Sequence, residues 1–298
     1  MDDYILENND KFVKNFIILF GEKEGTSVMA RLLNNFEKVS VLHHSNGSGW
    51  EPFDQHCCGK INSDDLFKCL NIIFSNDIIN FQYLNKIYRR SSKEELSSFH
   101  SMNVSKGFKM RFTNPSAPRW MKAIPLLANF NYERKMIRLF KRHNVVVFIA
   151  IRRDLLRWAL SKYHGNGSGK PGHLQFALAD GRISRNDIPK IYVEDSKLMR
   201  LIHKCEKAHS HKYRLASFLR KAGVEVRFLE YEEFLDDKVI FFKKIQNALE
   251  IYNEDDEEID NIIQRGASLE KVHSNDISEF VINSDSIMSK FGHYTICI

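Results

Sequence analysis

No stretch of this chain approaches the roughly 20 consecutive apolar residues that a membrane-crossing helix needs, so no membrane span is expected among its 298 residues. Internal repeats and low-complexity segments are also missing, which argues against a solenoid or a fibrous chain. Cysteine is sparse and odd in number. Cys57, Cys58, Cys69, Cys205 and Cys297 are scattered, and the N-terminus, MDDYILENNDKF, is too acidic and polar for a secretory signal. Free thiols and a cytoplasmic location are therefore expected rather than a disulfide framework. Charge of one sign does not dominate: 44 Lys and Arg oppose 38 Asp and Glu, for a net charge of +6. The basic residues form no dense tract, as a nucleic-acid partner would favour, but the excess suits a smaller anionic ligand.

What is present is a patterned, aromatic-rich chain with 43% hydrophobic residues. Five apolar or β-branched runs predict strands at residues 15–20, 39–43, 107–112, 145–151 and 224–229. The run VVVFIAI at 145–151 is apolar throughout, as in a strand buried on both faces. Helical spacing appears over 130–143, over 195–222 before Gly223, and over 238–250. Strands alternating with helices predict an α/β fold: a three-layer sandwich with a central, mostly parallel β-sheet flanked by helices, as a single domain over 1–298.

Two segments carry the chemistry. In the first, the strand Phe16 to Phe20 runs into Gly21-Glu22-Lys23-Glu24-Gly25-Thr26-Ser27, and Val28, Met29, Leu32, Leu33 and Phe36 then follow at helical spacing. Strand, glycine-containing loop and helix aim backbone N–H groups at an anion. The loop is not G-x-x-x-x-G-K-[ST], because its lysine precedes the second glycine. In the second, the 145–151 strand ends at Arg152-Arg153, and Ser161 lies eight residues beyond Arg153. An arginine fork and a serine hydroxyl so placed predict a second anion clamp. Two glycine-, serine- and histidine-rich segments, 45–60 and 164–173, are expected to surround the active site.

These segments resemble the signatures of sulfotransferases that use 3′-phosphoadenosine 5′-phosphosulfate. The first family motif reads P-[KR]-S-G-T-[TS], against Glu22-Lys23-Glu24-Gly25-Thr26-Ser27 here. The second reads R-[DN]-P-x-[DE]-x-A-[VL]-S-x-Y, against Arg153-Asp154-Leu155-Leu156-Arg157-Trp158-Ala159-Leu160-Ser161-Lys162-Tyr163. A strand followed by Y-E-D-L is matched by Tyr231-Glu232-Glu233-Phe234 after Leu229 and Glu230. The family's proline and serine in the first motif are Glu22 and Glu24, and its proline in the second is Leu155. An acid inside an anion cradle is unfavourable unless it turns away.

The resemblance implies sulfuryl transfer to a hydroxyl or amine of a small-molecule or glycan acceptor, with the nucleotide as co-substrate and no metal requirement. It implies that Lys23 steadies the leaving group. Gly25, Thr26 and Ser27 would hold the 5′-phosphate, and Arg153 and Ser161 the 3′-phosphate. Lys271 is a weaker nucleotide contact, balanced against a solvated lysine. A general base is expected shortly after the second strand, with Glu51 first and His44 or His43 next. His203, Cys205, His209 and His211 contain one i, i+4 pair, Cys205 and His209. They read as one amphipathic helix rather than a metal site. The rival readings are a P-loop small-molecule kinase and a non-catalytic nucleotide-binding protein of the same fold.

Overall fold

The computed structural model describes residues 14–21, 23–42, 62–75, 104–111, 130–167, 184, 188–251, 255–266 and 276–296. Its centre is a five-stranded, all-parallel sheet in the order β2-β3-β1-β4-β5. The strands are β1 (Asn15–Phe20), β2 (Val39–Leu42), β3 (Ser105–Arg111), β4 (Val145–Ile151) and β5 (Val226–Glu230). All five occur where the apolar runs predict them, with ends shifted by no more than two residues. Register is continuous across the middle: Ile17 pairs with Phe108 of β3 and with Val147 of β4. All seven residues of β4 are buried, as its unbroken apolar run requires.

Alternation along β1 supplies both faces. Phe16 and Ile18 face a layer built from α1 (Thr26–Leu33), α7 (Lys238–Leu249) and α8 (Asp256–Gly266). Ile17 and Leu19 face α2 (Ser63–Phe74), α3 (Phe130–Arg142) and the C-terminal half of α5 (Asp195–Lys221). A third cluster joins α4 (Leu155–Gly167) to the N-terminal half of α5 and to α9 (Ser284–Phe291). Between β5 and α7 lies the short α6 (Tyr231–Asp236). Helix α5 ends where its sequence says it should: Gly223 is left-handed at φ 78° and its N–H bonds the Arg220 carbonyl at 2.9 Å.

This topology decides where a ligand belongs. After β1 the chain leaves toward β3 and β2; after β4 it leaves toward β5. The adjacent strands β1 and β4 thus send their connections in opposite directions, with α1 and α5 on opposite faces. The crevice beyond their carboxyl ends is a topological switch point, where open α/β sheets hold ligands. The loops opening onto it are those carrying Lys23 and Arg152.

One packing detail in the middle of the sheet is unusually tight. Gly107 pairs with Phe16, and a Cβ on Gly107 would sit 2.4 Å from the Phe16 ring. Gly107→Ala is expected to lower unfolding free energy by about 1–3 kcal/mol, as overpacking does, without changing the helical circular dichroism spectrum. Urea denaturation measures this, and an unchanged midpoint would show that the ring has room to move.

Candidate functional site at the ends of β1 and β4

The loop after β1 makes its turn with two left-handed residues, Lys23 at φ 64° and Gly25 at φ 74°. Gly25 is required there twice over. Its φ favours glycine, and a Cβ would fall 2.4 Å from ring carbons of Tyr231. Gly25 is the N-cap of α1 and offers no side chain to the helix; its carbonyl accepts the N–H groups of Val28 (3.1 Å) and Met29 (3.3 Å). No described residue accepts the amide hydrogens of Thr26 and Ser27. Those orphan donors at a helix start are the groups that attract an anion.

Glu24 turns away from the cradle. Its side chain is buried with that of Lys212 of α5, and the two form an ion pair. The Glu24 carboxylate also accepts the Gly21 N–H at 2.6 Å, closing the loop on itself. Lys212 donates in addition to the Ala150 carbonyl of β4 at 2.6 Å and lies 5.6 Å from the Trp158 ring centre. The acid that looked out of place in an anion loop is therefore neutralised, and it fastens the loop to β4 and α5. Nothing in the sequence near Glu24 points to Lys212, which lies 188 residues away.

Basic groups converge from β3, from β4 and from the loop itself. Lys109 of β3, itself buried, donates to the Ser27 hydroxyl at 3.1 Å. Lys23 lies on the loop with its side chain exposed. Its charge reaches α4: burial pushes the His164 imidazole below its usual range, and the Lys23 ammonium adds to that. Arg152 leaves β4 beneath the loop. Its Nη1 donates to the Lys23 carbonyl and to the Ser161 hydroxyl, both at 3.3 Å, and its guanidinium lies 4.7 Å from the Tyr231 ring centre.

Arg153 and Ser161, expected to act together, are not in contact here. Arg152 reaches Ser161, while Arg153 Nε pairs with Glu230 at 2.8 Å, half-exposed at the end of β5. Arg152 reaches the β1 loop and Arg153 reaches β5, whose Glu230 is in register with Ile151. The motif spacing selects Arg153, but the arginine in contact with Ser161 is Arg152. The start of α4 is already occupied by carboxylates. Glu232 accepts the N–H groups of Arg153 (2.9 Å) and Asp154 (3.1 Å), and Asp154 accepts that of Arg157 (2.8 Å).

Gly25, Thr26, Ser27, Lys23 and Ser161 are brought together around one crevice. Glu51, His43, His44 and Lys271 lie outside the described residues, as do Glu22 and most of the two glycine-rich segments. Cys205 and His209 belong to one continuous helix, α5, as the amphipathic pattern implied. Burial pushes the Cys205 thiol up to about 11. His209 stacks on Trp158 with ring centres 5.2 Å apart, and burial, aided by the Lys212 charge, pushes its imidazole down to about 4.

The anchoring of the loop is testable. Removing one member of a buried ion pair leaves the other charge unpaired, so Lys212→Met or Glu24→Gln alone should cost about 3–5 kcal/mol, whereas the double variant should recover most of the loss. Denaturant titration of the four proteins reads the coupling. Single variants within about 1 kcal/mol of the parent, the range of surface pairs, would contradict it.

No protein-family description matches the chain, and no curated protein is similar to it in sequence. Among solved structures, the chain is similar to the mouse sulfotransferase SULT7A1 complexed with PAP, at 13% identity and a TM-score of 0.38, over 91% of this chain and 71% of that one. It is also similar to the sulfotransferase STF9 from Mycobacterium avium, at 9% identity and TM-score 0.38, over 95% and 76%. A third is a sulfotransferase from Alicyclobacillus acidocaldarius, at 15% identity and TM-score 0.38, over 89% and 98%. Identities this low leave activity and acceptor to be argued from the residues of the crevice.

Proposed function

We propose that this protein is a sulfotransferase that moves a sulfuryl group from 3′-phosphoadenosine 5′-phosphosulfate to a hydroxyl or amine of a small-molecule or glycan acceptor. The observation that carries the reading is the contact between the two motif-bearing loops. Arg152 of the second bonds both the Lys23 carbonyl of the first and Ser161. Contacts that join anion-seeking groups at the ends of β1, β3 and β4 support this reading, because a nucleotide with phosphates at both ends needs such groups close together.

Sulfuryl transfer is an in-line displacement, and positioning and charge stabilisation do most of the work. The acceptor oxygen or nitrogen forms its bond to sulfur as the bond from sulfur to the bridging oxygen breaks. The electron pair leaves on the 5′-phosphate of adenosine 3′,5′-bisphosphate. Lys23 compensates the charge growing on that oxygen, and the amides of Gly25, Thr26 and Ser27 hold the 5′-phosphate. The 3′-phosphate belongs at the end of β4, near Ser161 and the adjacent arginines. The acceptor's proton passes to a base, for which Glu51 stands first and His44 second. Lys271 is assigned to the nucleotide as a further contact.

Two measurements test this reading together. Adenosine 3′,5′-bisphosphate should raise the melting temperature more than ATP at equal concentration, because only the former carries a 3′-phosphate. Lys23→Ala should lower turnover on the order of 10²-fold or more while leaving bisphosphate affinity within a few-fold, since its charge matters most in the transition state. Equal stabilisation by both nucleotides, or near-parental turnover of the variant with any sulfated acceptor, would remove the reading.

A further inference from the structure

Basic residues are scattered along the sequence, but the fold gathers many of them on the layer that holds α2, α3 and α5. On α5, Arg200, Lys204, Lys207, His211, Arg214 and Lys221 recur at intervals of three, four or seven and so share one stripe. The lysines and arginines of this stripe are exposed. At 1.5 Å per residue the stripe is about 30 Å long. On α3, every exposed residue from 134 onward is basic: Arg134, Lys135, Arg138, Lys141 and Arg142. The two helices approach at their ends. A Cβ on Gly223, just past α5, would fall 3.2 Å from Lys141 Nζ.

These charges are not answered locally. Among the described residues no carboxylate pairs with Arg200, Lys204, Lys207, Arg214 or Lys221. The same holds for Arg138, Lys141 and Arg142 of α3. Of the two acids on α5, Asp195 is held by Lys290, which leaves only Glu206. Acids gather on the opposite layer, where α8 opens with Asp256, Glu257 and Glu258. Cations are favoured in the last turn of a helix, which accounts for Lys141, Arg142 and Lys221. Arg138, Arg200, Lys204, Lys207 and Arg214 lie outside the last turn and have no such reason. Like charges one turn apart repel. The crowding is felt at His211, whose imidazole is pressed below its usual range by burial and then by the Arg214 and Lys207 charges. A row of mutually repelling cations is relieved when a polyanion lies along it.

Shape narrows the partner. The stripe follows one helix, so it is linear and convex and suits a chain better than a flat lipid surface. Tyr213, the exposed aromatic of α5, packs its ring on Phe228 with centres 5.0 Å apart. It is therefore not the open stacking platform that single-stranded nucleic acid uses.

We infer that the outer face of α5, continued by α3, is a docking track for a linear acidic polysaccharide. The track is separate from the nucleotide crevice, because Lys212, which anchors the β1 loop, projects from the buried side of α5. The choice of a glycan rests on the sulfotransferase reading, under which a sulfated chain is the polyanion at hand; the polyanion chemistry does not.

The experiment compares the parent with three triple variants. Arg200→Gln, Lys204→Gln and Lys207→Gln remove charge from α5; Arg138→Gln, Lys141→Gln and Arg142→Gln remove it from α3. Lys238→Gln, Lys243→Gln and Lys244→Gln remove the same charge from α7 in the opposite layer. Each protein is titrated with heparin, a linear sulfated polysaccharide, with vesicles containing phosphatidylserine, with a single-stranded oligonucleotide, and with adenosine 3′,5′-bisphosphate. The α5 and α3 triples should each weaken heparin binding by about 10- to 100-fold, the effect of losing several contacts to an anionic surface. The α7 triple should stay within about three-fold. All three should bind the bisphosphate within a few-fold of the parent, and the α5 and α3 triples should melt no lower, because repulsion has been removed.

Equal weakening by the α7 triple, or a parent that does not bind heparin, would overturn the inference. Tighter binding of vesicles or oligonucleotide than of heparin through the same residues would overturn the polysaccharide as partner. Failure of both the α5 and the α3 triple to fold would overturn the premise that these side chains are unpartnered. A parent that binds heparin along the track but does not bind the bisphosphate would overturn the sulfotransferase reading and leave the track standing.

Discussion

The buried ion pair between Glu24 and Lys212 organises the site. One lysine from α5 ties the β1 loop to the Ala150 carbonyl of β4, and the same glutamate folds the loop back on the Gly21 amide. Because both charges are inside, neither is free to leave without exposing the other unpaired. The loop backbone is thereby held against α5, and the left-handed turn at Lys23 and Gly25 presents the start of α1 to the crevice. A glutamate in an anion-binding loop normally repels the ligand. Here it is cancelled from behind by Lys212.

That arrangement leaves the crevice with a clear electrostatic division. Carboxylates Glu230, Glu232 and Asp154 are drawn to the β5 edge and the start of α4, where arginines and backbone N–H groups neutralise them. Lys23, Arg152 and the α1 amides remain on the side of β1 and β4, with Lys109 reaching Ser27 from β3. Tyr231 backs the basic side. It packs on Gly25, where a side chain of any size would collide, and under the Arg152 guanidinium. Three strand ends therefore meet at one aromatic ring, and the geometry of the anion groups follows from it.

Much of this was legible in the sequence because it depends on local patterns. The apolar run Val145–Ile151 reads as a doubly buried strand in any context. Gly25-Thr26-Ser27 before a periodic apolar segment reads as an open helix start. Gly223 marks a helix end by its backbone freedom alone. What escaped depends on contacts distant in sequence. Lys212 looks like one more lysine on an amphipathic helix until α5 is laid beside β4. Arg152 and Arg153 are equivalent by composition, and only the direction of the strand end and the position of Glu230 separate them. Helices α2 and α8 were also not singled out, although Asn62 caps α2 by accepting the Asp65 N–H at 2.8 Å.

The central claim is that the start of α1 and the end of β4 form one anion-binding crevice. The most direct measurement follows backbone amide resonances while adenosine 3′,5′-bisphosphate is added. The account predicts saturable shifts, with a common affinity, at Gly25, Thr26 and Ser27 together with the Arg152 side-chain Nε–H and residues around Ser161. Saturable binding that leaves those resonances in place and perturbs another face of the sheet would contradict it.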